Sequence, residues 1–200
     1  LNLLDSICDL VRNTSDYKNT TSNFRFAKWG TNKYKSIANI LLNFVIQKQL
    51  HMIQPFDDIY FMKKAFQEAE NAFDKGEIPV GAVIVLKDQI IARAHNLTET
   101  LNDVTAHAEM QAFTSAADFL GGKYLKECVL YVTLEPCQMC AGASYWAQIG
   151  KIVYGASEPE RGFKTLNTTL HPKTAVVGGV FEKECLQILK RFFIEKRNLN

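Results

Sequence analysis

Two short strings in this chain carry reactive residue types at telling spacings: Thr105-Ala106-His107-Ala108-Glu109 and Glu135-Pro136-Cys137-Gln138-Met139-Cys140. Two cysteines three positions apart at a helix start present both sulfurs on one face of the first turn. The free N–H groups of that turn favour thiolate, the form that binds metal. One imidazole from His107 completes an N-S-S donor set of the kind zinc accepts. Three protein ligands leave one tetrahedral position for water, the mark of a catalytic rather than a structural zinc. Glu109, two residues past the histidine, is placed to exchange protons with that water. Zinc lowers the pKa of bound water from about 15.7 towards about 7, and a positioned carboxylate acting as acid and base is worth roughly 10²–10⁴ in rate. The pairing suits hydrolytic deamination, in which oxygen adds to an amidine-like carbon, a ring nitrogen is protonated and ammonia leaves. A lone histidine is usually structural and a lone C-x-x-C can be a redox pair, but the three features together point to a metal site.

The elements that must position these residues are legible from periodicity. Asp57 and Asp58 cap a helix whose Met62, Ala65, Phe66, Ala69 and Phe73 recur three and four apart, and Gly76 ends it. Val80 to Leu86 reads as a buried strand, Lys87-Asp88-Gln89 as a turn and Ile90 to His95 as its hairpin partner. Thr105 is the expected cap of a helix that runs to about Phe119 and breaks at Gly121-Gly122. Cys128 to Leu134 is a third strand, and Pro136 opens a short helix through about Gln148. Lys151 to Gly155 is a fourth strand, 157–173 an irregular loop, Ala175 to Val180 a fifth strand, and Glu182 to Asn198 a closing helix with Cys185, Leu186, Leu189, Phe192 and Phe193 on one face. This order suggests one central sheet with helices on both faces.

The chain has 200 residues, 47% hydrophobic and 22% charged, an ordinary globular mix. No apolar run approaches the roughly 18 residues needed to span a bilayer, so no membrane partner is expected. Residues 1–54 hold seven Asn, one Gly and no Pro, with seven basic and three acidic side chains. They read as an N-terminal extension, poorly ordered or with one short helix over Lys35 to Leu50: either a basic, acid-poor targeting segment or a non-essential extension with the biological start at Met52. The domain proper is expected over 55–200, with a net charge of −2, so it is not a broadly basic nucleic-acid binder. Five cysteines, an odd number, without a secretory signal point to reduced thiols and a cytoplasmic location. Cys128 and Cys185 fall on apolar faces and read as core. His51 and His95 read as solvated or packing residues, and His171 as a further candidate for substrate contact.

The two strings carry the H-x-E and P-C-x-x-C signature of the zinc nucleobase deaminases. Residues 56–198 resemble bacterial tRNA adenosine deaminases nearly end to end. Gly76-Glu77-Ile78-Pro79-Val80-Gly81-Ala82, Asn96, Thr133-Leu134-Glu135-Pro136-Cys137, Cys140-Ala141-Gly142-Ala143, Tyr154-Gly155-Ala156 and Lys190-Arg191-Phe192-Phe193 all take part. The resemblance implies an α/β fold, a three-layer α-β-α sandwich of the cytidine deaminase type around a mixed sheet of about five strands. It further implies conversion of adenosine to inosine at the wobble position of a tRNA anticodon loop, by a homodimer with one Zn2+ per subunit. His107, Cys137 and Cys140 would hold the zinc, and Glu109 would shuttle protons while activated water adds at C6. Asn96 would hydrogen-bond the flipped base, and the backbone N–H of Ala108 would lie near the purine ring. Such enzymes take an unstacked base from single-stranded RNA, and DNA is not an expected partner.

Basic residues cluster on the last helix, where Lys190, Arg191 and Arg197 stand out beside Lys183 and Lys196 as candidate phosphate contacts. Arg161 and Lys164 in the preceding loop could extend that patch. The chain departs from the common family pattern in the aromatic Ser144-Tyr145-Trp146 and in the acidic Ser157-Glu158-Pro159-Glu160-Arg161-Gly162-Phe163. Tyr145-Trp146 could supply an apolar dimer interface. That pair and the 117–128 stretch are also similar to guanine deaminases of the same superfamily, so a free-base enzyme is the first rival. The second is a zinc-stabilised RNA-binding module without turnover, against which Glu109 argues.

Overall fold

The computed structural model describes residues 56–198, so the helix expected over Lys35 to Leu50 and residue His51 lie outside the described residues. The described chain runs α1 (Asp58–Asp74), β1 (Gly81–Leu86), β2 (Gln89–His95), α2 (Ala108–Leu120), β3 (Cys128–Leu134), α3 (Gln138–Ala147), β4 (Lys151–Ala156), β5 (Ala175–Gly178) and α4 (Glu182–Asn198). The five strands form one mixed sheet in the order β2-β1-β3-β4-β5. β1 is antiparallel to both β2 and β3, whereas β3–β4 and β4–β5 are parallel. Lys87 and Asp88 both adopt positive φ, 48° and 63°, which makes the β1–β2 loop two residues long, tighter than the expected three-residue turn.

Alternation along the strands sorts side chains into two layers. Val83, Val85, Tyr131 and Val153 face α1, where they meet Phe61, Met62 and Ala65. Ala82, Ile84, Leu130, Val132 and Ile152 face the other way, towards Ala108, Ala112, Ala116 and Ala141 of α2 and α3. α4 joins the α1 layer, with Phe192 edge-on to Phe73 at 5.8 Å and Cys185 against Gly155. The result is the α-β-α sandwich of the expected α/β class. Gly81 shows how tightly the α1 layer lies on the sheet: a Cβ there would fall on the backbone of Ala65 and Ala69. Cys128 and Cys185 are buried, as expected of core cysteines.

Two helix starts differ from expectation, and both differences concern the site. Thr105 does not cap α2. Its N–H and hydroxyl both donate to Asp103 Oδ1 at 2.8 Å in a local turn, and His107 is the N-cap residue instead. Pro136 does not open α3. That helix begins at Gln138 with Cys137 as its N-cap, while the Pro136 carbonyl accepts the Phe163 N–H at 2.9 Å. In each case the cap position is taken by one of the three candidate metal ligands.

Candidate metal-dependent active site

Because β2 is antiparallel to β1, and β1 to β3, the carboxyl ends of β2, β3 and β4 emerge at one edge of the sheet. The residues that leave these ends build the site, the usual location in sheets of this kind. Asn96 follows β2, Glu135-Pro136-Cys137 follow β3, and Ser157 follows β4. The N-termini of α2 and α3 converge there, on the same face of the sheet.

His107 Nδ1 lies 3.6 Å from Cys137 Sγ and 3.5 Å from Cys140 Sγ, and all three donor atoms lie within 4.8 Å of one another. This group could hold a metal ion. Tetrahedral zinc bonds of about 2.0–2.1 Å to nitrogen and 2.3 Å to sulfur place N and S roughly 3.6 Å apart, so the separations fit a tetrahedral N-S-S centre. The His107 side chain makes no capping bond to its own helix, and both it and the Cys137 sulfur are turned to this centre. The electrostatics match. The Cys140 thiol hydrogen-bonds Cys137 and, against the opposing effect of burial and with help from His107, holds its sulfur down at about 4. Cys140 is pushed up by that same bond and by burial, and His107 is raised mainly by its bond to Cys137. The Cys137 thiolate is thus held by the protonated Cys140 thiol and by His107, a stabilising role that a bound cation would take over.

Glu109 sits in the first turn of α2, 4% exposed. Burial pushes its carboxyl up to about 7, with the Cys137 charge adding to the rise and its own backbone N–H, His107 and the Cys140 thiol opposing it. A carboxyl poised near neutrality beside a metal-ligand triplet is suited to general acid–base work. A bound cation would pull it back towards the charged form.

Asn96 and Ala108, both expected to face the base, also bond each other. Asn96 Oδ1 accepts the Ala108 N–H at 2.9 Å, and both residues are buried. The side chain therefore performs for α2 the capping that His107 does not.

Two residues read in the sequence only as parts of matched strings prove to be organising carboxylates. Glu77 is buried and accepts from Thr98 Oγ1, the Glu99 N–H and the Thr100 N–H at 3.2, 3.1 and 2.7 Å. Burial alone would raise its pKa, but these bonds together hold it below the usual range. Glu135 is buried too, and takes the Glu158 and Lys164 N–H groups at 3.2 and 3.0 Å. Apart from the Thr98 hydroxyl, the targets are loop backbones, which leave no period or spacing in a sequence.

The candidate RNA contacts are spread apart. Arg161 is exposed in the loop whose Gly162 pairs with Cys137, beside the site. Lys164 is in the same loop, but its ammonium is engaged by the Tyr154 hydroxyl. Lys190, Arg191 and Arg197 are exposed on α4, in the layer across the sheet from the ligand-bearing helices. Arg191 lies over the Phe73 ring at 4.1 Å and beside Glu195 at 3.8 Å. His171 stands edge-on to Tyr145, 5.8 Å between ring centres, while Trp146 is 78% exposed. His95 bridges Glu68 Oε2 at 3.2 Å and Lys75 Nζ at 2.9 Å, a packing role.

The chain is similar to known proteins. A family profile described as MafB19-like deaminase matches residues 56–197. The tRNA-specific adenosine deaminase of Bacillus subtilis is 47% identical over 147 residues, 70% of this chain and 91% of the relative. That of Agrobacterium fabrum is 44% identical over 144 residues, 69% of this chain and 95% of the relative. A solved structure from work on A-to-I editing by tRNA:A34 deaminases is 42% identical, covers 65% of this chain and 99% of its own, and superposes with a TM-score of 0.60.

Proposed function

The chain belongs to the MafB19-like deaminase family, alongside the tRNA-specific adenosine deaminases, and from that premise we propose how its own residues carry the reaction. It is a hydrolase that converts adenosine to inosine at the wobble position of tRNA, releasing ammonia. The observation that carries this reading is the convergence of His107, Cys137 and Cys140 within 4.8 Å at two helix N-termini, with the buried Glu109 carboxyl two residues past the histidine.

His107 Nδ1 and the Cys137 and Cys140 sulfurs would hold one Zn2+ per chain, the fit of the donor set supporting that metal. Zinc, when bound, supplies the Lewis acidity that makes water a nucleophile near neutral pH. Glu109 would take one proton from the attacking water and pass it to the ring nitrogen, then take the remaining proton from the added oxygen and pass it to the departing amine, which leaves as ammonia. With Asn96 Oδ1 committed to Ala108, its Nδ2 hydrogens are the group left to meet the base. An adenosine splayed out of a single-stranded loop is the substrate cheapest to extract. Arg161, at the rim, is the favoured phosphate contact. Lys164, Lys190, Arg191 and Arg197 would act further along the stem-loop.

The deaminase domain is assigned to residues 55–200, in keeping with the matched span. A homodimer is proposed on the exposed Trp146 and its neighbour Tyr145, and a sedimentation mass near 22.6 kDa at micromolar concentration would remove it. A cytoplasmic location accords with the substrate. Among the described residues no helix is long and apolar enough to cross a membrane. The function is tested by assaying zinc-loaded protein for ammonia from an anticodon stem-loop and from free guanine. Release from the stem-loop, weakening steeply as salt rises, is expected. Release from guanine alone, indifferent to salt, overturns the RNA reading.

A further inference from the structure

We propose that Glu135 is a positioning residue for the RNA: its buried carboxylate clamps the 158–164 loop onto the corner that carries Cys137 and so sets where that loop meets the substrate. The substrate half of this inference rests on the RNA reading above. The geometry is that of a clip. One oxygen, Oε2, accepts the Glu158 N–H at 3.2 Å and the other, Oε1, accepts the Lys164 N–H at 3.0 Å, so the carboxylate grips both ends of the loop. The Glu135 N–H donates to the Ala156 carbonyl at 2.8 Å, fixing the carboxylate's own backbone to the end of β4. Between the two grips the loop is sewn to the following residues: Phe163 N–H to the Pro136 carbonyl at 2.9 Å, and Gly162 opposite Cys137 as a bridge partner.

Two further observations mark this as a built contact. A Cβ on Gly162 would fall on the Glu158 carbonyl and stand 2.7 Å from the Glu135 carboxylate, so both the turn of the loop and its approach to Glu135 depend on glycine. Within the loop, Glu158 Oε1 accepts the Glu160 and Arg161 N–H groups at 2.9 and 3.3 Å, so the turn that displays Arg161 hangs from a residue that Glu135 holds. Glu135 spends both oxygens on backbone and touches none of the three metal ligands' donor atoms. It acts through the loop, as a charged acceptor buried in the protein and therefore costly to leave half-used.

Glu135→Gln tests this in the full zinc-loaded chain. It keeps the volume and one acceptor oxygen but turns an NH2 group towards the second N–H, opening one grip. Expected are zinc per chain unchanged, amide hydrogen exchange at Glu158 or Lys164 faster by about tenfold or more, and KM for an anticodon stem-loop raised about tenfold with kcat within about twofold. Gly162→Ala, which crowds the Glu158 carbonyl as well as the carboxylate, is expected to free the same amides, and adding Glu135→Gln to it to bring no further loss. Unchanged exchange at both amides overturns the clamp. Loss of zinc, or a fall in kcat with KM unchanged, overturns the substrate role in favour of support for the metal. Wild-type protein that turns over guanine and not the stem-loop removes the RNA reading, and the substrate role with it, whatever the exchange result.

Discussion

Asn96 Oδ1 accepts the backbone N–H of Ala108 at 2.9 Å, tying the carboxyl end of β2 to the first residue of α2, next to His107. One side chain thereby caps the helix that carries His107 and Glu109, and we propose that its Nδ2 hydrogens meet the substrate. These two roles separate by mutation. Asn96→Ala orphans a buried N–H and is expected to cost about 1–2 kcal/mol of stability along with activity. Asn96→Asp keeps the acceptor and loses the donor, so it is expected to retain most of the stability and still lose kcat/KM. Chemical denaturation and stem-loop kinetics on both variants check this. Equal destabilisation by the two would contradict it.

Glu109 is predicted to be dispensable for metal and essential for turnover. Glu109→Gln is expected to bind zinc and RNA normally while kcat falls by roughly 10²–10⁴ or more. The metal-free protein gives a second readout with a definite sign. A carboxyl raised to about 7 in the fold against 4.5 otherwise contributes stability that is full below about pH 4.5 and lost as pH climbs through 7. In chelator, Glu109→Gln is therefore expected to exceed wild type by about 3 kcal/mol at pH 8 and to match it near pH 4. Melting curves at the two pH values decide this.

The cysteines should divide by reactivity. With its sulfur held at about 4, Cys137 remains thiolate as pH falls from 8 to 5. In metal-stripped protein its alkylation is expected to stay nearly flat over that range and to drop only near pH 4. Cys185, which burial pushes up to about 12, and Cys128, also raised by burial, are expected to stay unlabelled in the folded chain. Zinc should protect Cys137 and Cys140. Peptide-resolved mass spectrometry after iodoacetamide treatment reads every site separately.

Gly81→Ala is expected to destabilise the domain by about 3 kcal/mol, the upper end for overpacking, because the added methyl falls on the backbone of Ala65 and Ala69 rather than on a side chain that can yield. Urea midpoints measure it. A loss under about 0.5 kcal/mol would mean that α1 is free to lift from the sheet.

What the sequence disclosed of this site was its chemistry, and what it hid was the scaffolding. That His107, Cys137 and Cys140 come together was legible because metal ligation demands particular residue types at particular offsets, and Glu109 was legible from its offset to the histidine. The sheet and its helices were legible because apolar residues recur with the period of each element. Thr105 looked like a helix cap on residue type alone, but the hydroxyl found Asp103 two residues away and the cap passed to His107. Glu77 and Glu135 stayed in the background since their partners, the Thr98 hydroxyl apart, are backbone N–H groups of distant loops. The basic residues show the reverse limit. Lys164 and Arg191 counted as free charges in the sequence, yet one is engaged by the Tyr154 hydroxyl and the other lies over Phe73. Intramolecular partners of this kind have no signature in spacing.

The central claim is that this site takes one adenosine from an anticodon loop and replaces its exocyclic amine with oxygen. Mass spectrometry of nuclease fragments from a stem-loop incubated with zinc-loaded protein tests it most directly. Expected is the mass change of amine-to-oxygen exchange in the fragment holding the wobble adenosine and in no other, absent with Glu109→Gln. An unmodified stem-loop, alongside ammonia released from free guanine, would contradict it.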